Sequence, residues 1–83
     1  MTISDHALRR MNERVTVFNY KSALSFVKGE MRGADPRYAV TKEGRTRARY
    51  VINGIVYIVD VTSLEKKTLV TVFLESEKEE WEK

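Results

Sequence analysis

Apolar residues recur at three- and four-residue steps over the first third of the chain and at every second position from Arg37 onward, so the sequence predicts helices followed by strands. Ala7, Leu8, Met11 and Val15 gather on one face of a first helix that Ser4 or Asp5 can cap and that runs to about Arg14. Tyr20, Ala23, Leu24, Val27 and Met31 form the apolar stripe of a second helix, capped by Asn19 and ended by Gly33 and Pro36. Between them Val15-Thr16-Val17-Phe18 is either a short extended connector or, from Thr16, the first turn of the second helix.

The alternating region begins with an edge strand over Arg37 to Thr41, a turn at Lys42-Glu43-Gly44 and a second strand from Arg45 to Ile52. Asn53-Gly54 is a strong hairpin signal, because both positions of a type I′ turn need positive φ. That turn sets Ile52 opposite Ile55, Tyr50 opposite Tyr57 and Ala48 opposite Val59 on an apolar face that covers the helices. Arg45, Arg47 and Arg49 fall on the other face, with Val51, Val56, Ile58 and Asp60. A last strand, Thr68 to Leu74, is expected to turn Val70 and Val72 inward and Leu69, Thr71 and Phe73 outward. The predicted fold is α+β, with two N-terminal helices packed on a three- to four-stranded antiparallel β-meander over residues 1–74. An acidic tail follows at 75–83, as a short helix carrying Trp81 or as a frayed end. Val51, Val56, Ile58, Leu69 and Phe73 are apolar for an open face, which predicts a homodimer or another bound partner there.

Length and composition narrow the class. With 83 residues and 42% hydrophobic content the chain supplies a single core. It has no cysteine and one histidine, so neither a disulfide nor a metal centre is expected, and no cofactor is implied. There is no charged-then-apolar leader and no apolar run of about eighteen residues, so the expectation is a soluble cytoplasmic protein without a membrane partner. The net charge of +3 is uneven: residues 75–83 hold five acids and two lysines, leaving thirteen cations against seven acids in the rest. A body of +6 attracts RNA or another polyanion.

Two groups of residues carry candidate chemistry. On a helix, His6, Arg10 and Arg14 form one stripe, each displaced by about 40° from the last. An imidazole titrating near neutral pH beside two permanent cations suits phosphate binding or phosphodiester cleavage. Arg45, Arg47 and Arg49 alternate along a strand, so their guanidiniums repeat about every 7 Å, close to the phosphate spacing of one nucleic-acid strand. The same alternation also protects a strand edge against pairing. Tyr50 and Tyr57 either stack on bases or belong to the core.

The run His-Ala-Leu-Arg-Arg-Met-Asn-Glu-Arg resembles the opening of a group of small bacterial and phage proteins that begin with His-Ala, then Arg-Met and Glu-Arg. That group is similar to the ribonuclease-toxin fold shared by barnase, RelE and colicin D. Val-Ile-Asn-Gly-Ile-Val-Tyr-Ile-Val-Asp-Val and Leu-Val-Thr-Val-Phe resemble its final strands, so the likeness spans most of residues 4–74. This chain departs from the group in having Val15 where a glycine usually follows Glu-Arg. The resemblance implies metal-independent RNA cleavage, with His6 as acid or base, Arg10 and Arg14 as helix cations and Thr71 as a hydroxyl on the last strand. It also implies an antitoxin or immunity protein as partner. The alternative is a non-catalytic phage or bacterial interaction protein that uses the basic face, or the tail with Trp81, to bind and inhibit a host protein.

Overall fold

The computed structural model describes residues 1–15, 19–63 and 65–76. In chain order the elements are β1 (Thr2–Ile3), α1 (Asp5–Arg14), α2 (Tyr20–Met31), β2 (Tyr38–Lys42), β3 (Arg45–Ile52), β4 (Ile55–Asp60) and β5 (Thr68–Leu74). The strands form one five-stranded sheet in the order β1-β5-β4-β3-β2. Neighbours from β2 to β5 are antiparallel, whereas β1 runs parallel to β5 with Thr2 opposite Thr68 and Ile3 opposite Leu69. The α+β class with two helices therefore holds, but the expected three- to four-stranded antiparallel meander is corrected to a five-stranded mixed sheet. Two residues are too few to show alternation. Backbone bonds to the far end of the chain hold β1 in place, from Thr2 N to Lys67 O at 2.9 Å and from Ser4 N to Leu69 O at 3.0 Å.

Each helix starts at a side-chain cap. Ser4 has extended φ/ψ, and its Oγ accepts from Ala7 N at 3.0 Å while donating to Val70 O at 3.0 Å. One hydroxyl thus begins α1 and fastens it to β5. Asn19 forms a reciprocal capping box with Ser22: Ser22 N donates to Asn19 Oδ1 at 2.8 Å, and Asn19 N donates to Ser22 Oγ at 3.1 Å. Tyr20 Oη then accepts from Ile3 N at 3.2 Å, joining the start of α2 to β1. The expected connector falls mostly on residues 16–18 and the expected tail helix on residues 77–83, outside the described residues.

Both hairpins turn on two residues of positive φ. Asn53 and Gly54 have φ of 52° and 77°, and Glu43 and Gly44 have 54° and 77°. The first turn sets the expected pairs Ile52/Ile55, Tyr50/Tyr57 and Ala48/Val59. In the second, Lys42 pairs with Arg45, so β2 runs from Tyr38 to Lys42 and not from Arg37 to Thr41. Between β4 and β5 the register slips: Ile58 faces Thr71 while Val59 faces Leu69, which leaves Val70 as an extra residue. This bulge corrects the expected last strand. Leu69 joins Val72 in the core beneath the helices, and Val70 packs against the cluster on the opposite face.

The main core lies between the helices and one sheet face, with Ala7, Met11, Ala23, Val27, Tyr57, Leu69 and Val72 fully buried. Val56, Ile58 and Phe73 form a second cluster on the other face and are also buried, at 0–1% exposure. Of the residues whose apolar character suggested a second copy, Val56, Ile58 and Phe73 are buried, Val51 is partly buried and Leu69 faces the helices. In the main core Tyr57 Oη is buried and has no hydrogen-bond partner among the described residues. Burial, and to a lesser degree the nearby Glu30 carboxylate, push this phenol far above its usual value, so it stays neutral.

Ser4→Ala is expected to lower stability by about 1–2 kcal/mol in urea unfolding, because it removes both the cap and the bond to Val70 O. Tyr57→Phe is expected to raise stability by about 1 kcal/mol in the same measurement, since it deletes a desolvated hydroxyl and keeps the ring.

Candidate functional site

The β4–β5 bulge and the two hairpins together set one row of side chains across the face opposite the helices. Thr71 pairs with Ile58, Ile58 with Arg49, and Arg49 with Tyr38, so these four residues lie in register across β5, β4, β3 and β2. His6 joins the row at its β5 end: its Nε2 lies 3.1 Å from Thr71 Oγ1. The histidine is exposed, whereas Thr71 is buried at 4% exposure. The hydroxyl therefore acts as a fixed anchor for one ring nitrogen. Nδ1 has no partner among the described residues and is the nitrogen left for a ligand. Its protonation follows from Thr71: Nδ1 carries the hydrogen if Nε2 accepts, and is a free base if Nε2 donates.

The two helix arginines share one carboxylate. Arg10 Nη1 lies 3.4 Å and Arg14 Nη1 3.0 Å from Glu13 Oε1, so this carboxylate offsets part of the positive charge of the helix stripe. Glu13 thus pairs with Arg10 and Arg14 and is already engaged.

The three strand arginines differ in their surroundings. Arg45 Nη1 donates to Asp60 Oδ2 at 3.2 Å. Arg49 Nη1 donates to Tyr38 Oη at 3.1 Å, with its guanidinium 5.8 Å from the centre of the Tyr38 ring. Arg47 is exposed and makes no hydrogen bond or ion pair among the described residues. It borders two grooves on this face. One, of about 470 Å³, is lined by Tyr38, Val40, Lys42, Arg45, Arg49 and Ile58 besides Arg47 itself. The other, of about 530 Å³, extends past Asp60 to Lys66 and Thr68. His6 and Thr71 border neither groove. Thr71 lies across Ile58 from the first, two strand spacings or about 10 Å from the Arg49 backbone.

Asp60 organises the end of this surface. Its Oδ1 accepts from Thr62 N at 2.9 Å, and Thr62 Oγ1 in turn accepts from Thr46 N at 2.9 Å. The hydrogen bonds from Thr62, with a smaller contribution from Arg45, hold the Asp60 carboxyl below its ordinary range against the opposing effect of burial.

Sequence reasoning placed Arg45, Arg47 and Arg49 on one face and His6, Arg10 and Arg14 on one helix. It did not single out Tyr38, which the register of the Glu43-Gly44 hairpin sets opposite Arg49. Tyr57 belongs wholly to the core and Tyr50 packs against it, so the two tyrosines weighed for base stacking face the helices. Among the described residues no three His, Asp or Glu side chains group to hold a metal, and no helix is long and apolar enough to cross a membrane. Comparison of the chain with protein-family models, curated proteins and solved structures returns no match.

Because the native Asp60 carboxyl titrates below its ordinary value, its contribution to stability is complete above about pH 4 and is lost as the pH falls through the native value. Asp60→Ala is expected to cost about 1–2 kcal/mol in urea unfolding at pH 7 and progressively less at the acid end.

Proposed function

We propose that this chain is a toxin-like RNA-binding protein that cleaves RNA without a metal. The observation that carries this reading is the His6–Thr71 contact, which stands in the same cross-sheet row as Arg49. In metal-independent cleavage a 2′-hydroxyl attacks the adjacent phosphorus and the 5′-oxygen leaves, giving a cyclic phosphate and a free 5′-hydroxyl. His6 Nδ1 serves one of the two proton transfers. Thr71 fixes the ring, and Arg10 and Arg14 supply the positive charge on the same helix. The strand arginines bind neighbouring phosphates: a span of about 10 Å from Thr71 exceeds the reach of a single phosphate but matches one to two nucleotide repeats.

One positioned acid–base group contributes about 10²–10⁴-fold. Glu13 is held by two arginines, so the second proton passes through the substrate phosphate, and the enzyme is slow. A second reading, a non-catalytic protein that binds and inhibits a host protein, takes the same contact as a structural brace. Nε2 of an exposed histidine is tied to a buried threonine, which helps hold α1 on β5.

In the presence of chelator, the purified protein is expected to convert RNA to fragments ending in cyclic phosphate. His6→Ala is expected to lower the rate by about 10²-fold or more, and Thr71→Val, which keeps the volume, by less. Wild-type protein that binds RNA and leaves it intact would overturn the catalytic reading and select the second one.

A further inference from the structure

We propose that the nucleic acid held on this face is single-stranded and that Tyr38 stacks on one of its bases; this rests on the RNA-binding reading above and specifies its ligand. The six described aromatic residues divide between core and contact roles. Tyr57 and Phe73 are fully buried, and Phe26 and Tyr50 pack on the core beneath the helices. Tyr20 is exposed but lies on α2, where its hydroxyl accepts from Ile3 N. Tyr38 alone of these combines exposure, at 46%, with a place on the arginine-bearing face, where it lines the first groove beside Val40, Lys42 and Arg47.

Its setting is that of a stacking platform. The bond from Arg49 to its hydroxyl and the guanidinium near its ring fix the side chain, so little rotamer freedom is left to lose when a base lands on it. The backbone of β3 carries Arg45, Arg47 and Arg49 at about 7 Å steps, a single line of cations suited to one phosphate backbone. On β2, Tyr38, Val40 and Lys42 stand directly opposite Arg49, Arg47 and Arg45 on the same face. A strand whose phosphates follow the arginines therefore turns its bases toward Tyr38 and Val40. A duplex keeps its bases stacked inside and offers no free base face to a tyrosine.

The test uses the full chain and RNA oligomers of about ten nucleotides, followed by fluorescence anisotropy at fixed salt, with 2-aminopurine as the stacking reporter. Wild type is expected to bind the single strand at least tenfold more tightly than the matching duplex and to quench 2-aminopurine. Tyr38→Ala is expected to weaken single-strand binding roughly 5- to 100-fold and to abolish the quench. Tyr38→Phe, which keeps the ring, is expected to retain both to within about threefold. An oligomer with abasic sites is expected to bind wild type and Tyr38→Ala equally. If Arg47→Ala weakens binding but Tyr38→Ala does not, or if duplex binds as well as single strand, the stacking proposal falls and RNA binding stands. If wild type binds neither RNA at low salt, both fall.

Discussion

The extra residue in β5 is the constraint on which the rest depends. A seven-residue strand in strict alternation could not put both Leu69 and Val72 beneath the helices and still send Thr71 and Phe73 to the far face. The slip between Leu69 and Thr71 does both. At the bulge the Val70 carbonyl accepts from the Ser4 hydroxyl, which starts α1. The entry of the first helix and the direction of the Thr71 side chain therefore follow from the same irregularity. His6, two residues beyond Ser4, reaches Thr71 because both ends of that contact are set by it.

Much of this was legible in the residues, and the limits have physical causes. The Asn53-Gly54 dipeptide fixed a register that holds pair by pair, because a two-residue turn leaves the flanking strands no freedom to slide. Asn19 and Ser4 are caps as read, although Ser4's second bond was beyond reach because its acceptor lies 66 residues away. β1 was missed because two residues carry no period. The bulge was missed because Thr-Leu-Val-Thr-Val-Phe-Leu is apolar on both sides, so alternation does not say where a step is lost. The sequence from Val61 to Lys67 gives no turn signal strong enough to set the register instead.

The candidate site divides along the same line. The helical period places His6, Arg10 and Arg14 together, and strand alternation places the three arginines. What neither gives is the distance between the groups, since that depends on how β5 is aligned with β4. The partners were also hidden. Glu13 holds two arginines, Asp60 holds Arg45 and Tyr38 holds Arg49, so a row of like residues becomes three cations of different character. Tyr38 could have been found by counting back from Glu43-Gly44 as from Asn53-Gly54. Starting the edge strand at Arg37 and ending it at Thr41 obscured that count.

The parallel pairing of β1 with β5 brings together positions separated by nearly the whole described chain, and this bears on the order of assembly. The hairpins β2–β3 and β3–β4 close short loops and can form early, whereas β1, the Ser4 latch and the His6–Thr71 contact wait for residues 68–71. During synthesis those partners emerge after β2, β3 and β4. The basic meander can thus exist before the histidine is seated, and an incomplete nascent chain carries the cationic strand without the His6–Thr71 contact.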